Sequence, residues 1–170
     1  MDDWTTGYTR AELDDAQFRY NLRFPPDLIA LFLDRQPARG YNWAIEDHRI
    51  REMLSYPLEM LGFDVEHGFW WRDWGERPRT EGERLEVLRD ALARAPRLIP
   101  LIGHRFIPEE PLLAGNPVFS MHGCDTIYYG ADLDEYFDNE FNRRYVIGAV
   151  RHIQFWSDLV ENWGFGAEEP

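Results

Sequence analysis

Prolines decide what residues 96–130 can become. The stretch PRLIPLIGHRFIPEEPLLAGNPVFSMHGCDTIYYG carries five of the chain's eleven prolines together with its strongest strand signals. Proline has no amide hydrogen to give to a ladder, so a strand that contains it sits at a sheet edge or at a bulge. Residues 98–107 are therefore predicted as one edge or bulged strand, and 108–116 as a stiff connection. Residues 117–121 and 126–129 read as two short strands. Between them His122-Gly123-Cys124-Asp125 makes a hairpin turn, with Gly123 free to take positive φ. This stretch predicts a β core that the rest of the chain must cover.

The cover is helical. Thr9-Arg10-Ala11-Glu12 has the spacing of a capping box and predicts a helix to about Tyr20. Pro26 suits the first position of a second helix over DLIALFLDRQ. Residues 41–45, YNWAI, read as a short strand. Asp47 then caps a third helix whose inner face is Ile50, Leu54, Leu58 and Leu61, with Pro57 expected to kink or split it before Gly62. Thr80 and Glu83 open a fourth helix, striped by Leu85, Leu88 and Leu92 and stopped by Pro96. Asp132 caps a fifth. Ala149, Ile153, Trp156, Val160 and Trp163 recur at helical spacing and predict a sixth over that whole length. The expected result is one domain over 1–170, with 1–8 and 164–170 frayed.

Composition narrows the partners. Thirty-one acidic residues face 18 arginines and no lysine, a net charge of −13. That balance argues against binding a nucleic-acid backbone, which takes clustered basic side chains. It favours attraction to a basic protein. No apolar run is long enough for a membrane span, and the Met1-Asp2-Asp3 start is unlike a secretory leader. A single cysteine, Cys124, leaves no internal disulfide and no multi-cysteine zinc site, so a cytoplasmic protein without metal or cofactor is expected.

Two surfaces stand out as partner sites. Phe69, Trp70, Trp71 and Trp74 fall within six residues between Gly68 and Pro78. They cap the core or offer an aromatic platform, tryptophan being a favoured interface anchor. Asp132, Asp134, Glu135, Asp138 and Glu140 place five acids in nine residues. On one short helix these form a negative ridge that would raise the rate of encounter with a basic partner.

His104, His122, Cys124 and Asp125 are the only set resembling catalytic machinery. A Cys–His pair with a carboxylate orienter is the minimal kit for nucleophilic catalysis. No oxyanion loop accompanies them, and His104, His122 and Asp125 lack metal-ligand spacing. The reading preferred for His104, Arg105, Asn116 and Asp125 is architectural: strand-end and turn residues that satisfy backbone groups.

Several short pieces also recur as an ordered set: Trp74-Gly75-Glu76-Arg77-Pro78, residues 95–100, His104-Arg105, residues 115–120 and residues 125–130. In this order they resemble bacterial members of the SUKH superfamily, which includes the yeast cell-wall-synthesis regulator and Syd. The resemblance runs from about Pro25 to Trp163. It implies an α+β domain with a mainly antiparallel sheet flanked by helices, in agreement with the reading above. It also implies protein binding without catalysis, because many bacterial relatives look like immunity proteins and the family has no common catalytic motif. The expected function is an immunity protein that neutralises a basic toxin, such as a nuclease. Trp70, Trp71, Trp74 and the 132–140 acids would meet the partner. The alternatives are a scaffold or small-ligand regulator using the tryptophan loop, and a hydrolase using Cys124, His104 and His122.

Overall fold

The computed structural model describes residues 2–163. Its centre is a four-stranded antiparallel meander, β3 (Leu98–Ile102), β4 (Arg105–Pro108), β5 (Val118–Ser120) and β6 (Ile127–Gly130), hydrogen-bonded in that order. The single strand expected over 98–107 is instead a hairpin. Gly103 at φ 52° turns the chain between β3 and β4, and the register slips between Pro100 and Ile102. Proline is tolerated at positions that need no ladder donor. Pro100 lies in an edge strand, and Pro108 lies beyond the Arg105–Ser120 and Phe106–Phe119 pairs that bind β4 to β5.

Side chains alternate across this sheet and build two cores. Ile99, Leu101, Ile107 and Val118 join one cluster, covered by α1 (Arg10–Tyr20), α2 (Pro26–Asp34) and α5 (Leu133–Asn142). Leu98, Phe106 and Phe119 join the other, covered by α4 (Glu81–Arg94) and α6 (Trp156–Trp163). Helix α3 (His48–Glu66) gives Ile50 to the first cluster and Leu61 and Val65 to the second. The fold is α+β.

Local chemistry accounts for most helix starts. The Thr9–Glu12 capping box is complete, the Glu12 amide donating to Thr9 Oγ1 at 3.1 Å and the Thr9 amide to Glu12 Oε1 at 2.9 Å. Asp47 and Thr80 likewise accept from the Arg49 and Glu83 amides. Pro57 does not split α3 into two elements, and the helix continues past Gly62 to Glu66. Burial of Pro57, Leu61 and Val65 outweighs the loss of one backbone donor.

Three segments depart from expectation. The fraying expected over 1–8 does not hold at residues 4–6: β1 (Trp4–Thr6) pairs antiparallel with β2 (Arg35–Pro37). Residues 41–45 form a loop rather than a strand, because side chains take their backbone groups. The Tyr8 hydroxyl donates to Tyr41 O, Tyr20 to Ile45 O and Arg19 to Trp43 O, while the Trp43 amide donates to Tyr8. The sixth helix begins at Trp156, not Ala149. Upstream, Asn139 and Glu135 take the Val146 and Gly148 amides, and Arg151 reaches Asn116 and Ala114. Tyr145 and Phe155 adopt φ of 47° and 70°, values at which helix cannot propagate. The fraying expected at 164–170 lies outside the described residues.

Candidate functional site

The β3–β4 and β5–β6 turns lie at the same end of the sheet and bring His104 and His122 together, ring centres 5.8 Å apart. Each is held from outside the turn. Arg105 Nη1 donates to His104 Nε2 at 2.7 Å and to Ser120 Oγ at 2.8 Å. The Tyr56 hydroxyl, from α3, pairs with His122 Nδ1 at 2.7 Å. A guanidinium cannot accept, so His104 Nε2 carries no proton in this arrangement. Burial, then the Arg105 and His122 charges, push the His104 pKa below its usual value.

Cys124 makes no hydrogen bond to either imidazole among the described residues. Asp64 Oδ2 accepts the Cys124 amide at 2.7 Å. Burial and the Asp64 carboxylate push the thiol pKa up, the opposite of what a thiolate nucleophile requires. Asp125 is exposed, and its carboxylate makes no hydrogen bond among the described residues. The turn-satisfying role expected of it falls to Asp64 and to Thr126, whose hydroxyl donates to Gly123 O at 2.6 Å. Among the described residues no group of three or more His, Cys, Asp or Glu is placed to hold a metal ion.

Behind His104, Arg105 runs into the sheet–α5 interface. Its guanidinium carbon lies 4.2 Å from the centre of the Tyr129 ring, and its Nε is 3.5 Å from Glu140 Oε2. Glu140 is 12% exposed, so it is not part of an outward ridge. Asn116 is fully buried, donates to Pro108 O and Pro111 O, and accepts from Arg151.

The other acids of α5 serve different ends. Asp132 Oδ1 accepts the Glu135 amide at the helix start. Glu135 turns back onto the Ala131 and Gly148 amides. Asp138 holds Asn142 and lies 3.9 Å from Arg144. Asp134 alone of the five is exposed without a partner among the described residues. The expected ridge of five carboxylates therefore reduces to Asp134, flanked by Asp132 and Asp138. Sequence spacing places acids on one helix but does not tell which of them find amides.

The tryptophan loop is the more developed surface. Gly68 and Gly75 take φ of 107° and 82° and reverse the chain around a short 3₁₀ turn, Arg72–Trp74. Phe69 is buried; its ring lies 4.7 Å from Trp163 and 5.6 Å from Trp74. Trp74 in turn meets Trp70 and Trp71 edge to face at 5.1 and 5.4 Å, and Trp70 Nε1 donates to Gly75 O. Trp70, Trp71 and Trp74 are thus half-buried and mutually braced. Between Trp71 and α6 lies a concavity of about 410 Å³ lined by Arg72, Asp73, Asp158 and Asn162. His152 lies 3.2 Å from Asp158 and 3.8 Å from Glu161, which also accepts from Tyr128. These α6 acids were not singled out from the sequence, where they read as the polar face of an amphipathic helix.

No family model, no curated protein and no solved structure matches the chain.

Proposed function

We propose that the chain is a non-catalytic protein-binding domain, most concretely a cytoplasmic immunity protein that neutralises a basic bacterial toxin. The observation that carries this reading is the braced tryptophan loop. Three half-buried indoles fixed by edge-to-face contacts lose little conformational freedom when a partner covers them. The concavity beside them carries Asp73 and Asp158 next to Arg72 and Asn162, so it offers a partner carboxylate acceptors and a guanidinium beside an aromatic contact. The overall charge of −13 and the exposed Asp134 add long-range attraction to a basic surface. The raised pKa of the Cys124 thiol speaks against the hydrolase alternative.

The test is co-expression with the product of the neighbouring reading frame. The chain should co-purify with it and restore growth if that product is toxic. Trp71→Ala, with the fold checked by circular dichroism, should weaken the complex by about 2 kcal/mol, roughly thirtyfold in Kd. Wild-type chain that neither binds nor protects removes the immunity reading. Binding that survives Trp71→Ala unchanged moves the contact away from the loop.

A further inference from the structure

Helices α3 and α4 pack against each other near Gly62. A Cβ on Gly62 would lie 4.0 Å from Leu88 Cδ2, and Leu61 and Leu88 are fully buried beside it. Toward Pro57 the helices leave a groove of about 360 Å³, within the range of small-molecule sites. Its floor is Pro57, Pro96, Leu98 and Trp156, all buried. The prolines bring no N–H, and the Pro96 carbonyl is already taken by Trp156 Nε1 at 2.7 Å. Leu54, Leu58 and Leu92 form the walls. The interior is thus apolar and offers nothing to a polar group.

The mouth has the opposite character. Arg89 and Arg97 line it, and no aspartate or glutamate does, in a chain with 31 acids. Arg97 Nε and Nη2 are engaged by Glu109, leaving Nη1. Arg89 has no carboxylate partner among the described residues, whereas Arg84 on the same helix holds Glu66 at 2.7 Å. An apolar slot with a cationic rim is complementary to an apolar anion.

The geometry points to a binding site for a small amphipathic carboxylate, its alkyl chain on Pro57, Leu98 and Trp156 and its head group at Arg89. This groove is separate from the tryptophan-loop concavity, and it binds whether or not that surface meets a toxin. Nitrogen-15-edited NMR of the full chain gives a local readout, the Trp156 indole N–H bonded to Pro96 O, assigned by its loss in Trp156→Phe. Decanoate should shift that resonance saturably, binding about tenfold tighter than octanoate for its two added methylenes. Octanol should bind several-fold more weakly than octanoate, and Arg89→Gln should bring octanoate down to octanol. Ala93→Trp, at an exposed position on the rim, should block all three without disturbing the fold.

No shift of the Trp156 resonance at about 1 mM decanoate overturns the assignment. So does equal affinity for octanoate and octanol, or binding that ignores Ala93→Trp. An acidic amphipathic peptide that shifts Trp156 where decanoate does not would give the groove to a protein segment, which also overturns it.

Discussion

Tyr136→Phe should make this protein more stable. Tyr136 projects from α5 onto the sheet and is fully buried, with rings of Phe137 and Tyr129 at 4.7 and 5.9 Å. Its hydroxyl has no hydrogen-bond partner among the described residues, and Arg105 Nε and Glu140 Oε2 nearby share that condition. Burial and the Glu140 charge both push its pKa up, so the phenol stays neutral and contributes only an unsatisfied donor and acceptor. A buried polar group left unpaired costs about 1–3 kcal/mol. Removing one oxygen while keeping the ring recovers most of that cost and opens no cavity of consequence. For a chain of this size each kcal/mol moves Tm by about 2–4 °C, so the variant should melt about 2–10 °C higher. Urea unfolding should show a higher midpoint at unchanged slope. A variant destabilised by about 1 kcal/mol or more would mean that the hydroxyl is satisfied and carries no burial cost to recover.

Other perturbations probe the same network and the termini of α3. Asp47 is held near pKa 2 by its hydrogen bond and ion pair with Arg49 and by backbone amides. Because the folded value lies below the unfolded one, its stabilisation is complete above about pH 4 and vanishes as pH falls through about 2. With Arg49 half-exposed, it amounts to about 1–2 kcal/mol, so acid-unfolding curves of wild type and Asp47→Asn should converge near pH 2. His104 has a folded pKa below its unfolded one, so stability should be full above about pH 6.5 and fall as acid protonates it. His104→Gln keeps an acceptor for Arg105 and should flatten that slope; an unchanged slope assigns the titration elsewhere. Asp64→Asn should lower the Cys124 pKa, seen as thiolate absorbance at lower pH, and weaken the 122–125 turn by about 1.5–3 kcal/mol in urea unfolding. Failure of the thiolate to move would show that Asp64 does not set it.

Helix starts could be read from the sequence because caps are local. Thr9, Asp47, Thr80 and Asp132 each accept an amide two or three residues on. The β5–β6 hairpin was legible because its strand runs flank a glycine-bearing turn, whereas β3 and β4 read as one strand because only Gly103, at positive φ, marks the turn between them. The β1–β2 pair was not, since three residues such as Trp4–Thr6 carry no usable alternation and pair with a segment about thirty residues away. The irregular 143–155 segment hid behind a correct helical spacing, because tertiary side chains from Asn139 and Glu135 claim its amides. The approach of His104 to His122 follows from their two turns. What they touch does not: Tyr56 and Asp64 arrive from α3, 66 and 60 residues away from His122 and Cys124.

The passage of α3 from one core cluster to the other has a consequence for how anything can attach to this sheet. The helix runs past the β3 side, where Pro100 also lacks a donor. On the far side, β6 carbonyls at Tyr128 and Tyr129 are taken by Tyr145 and Asn139. The nearby helix on one flank and the occupied carbonyls on the other obstruct an incoming strand, which disfavours fibre-like growth and recognition by β-augmentation. A partner is left to bind through side chains, on shape and charge, and a mutation that frees either flank would trade that selectivity for self-association.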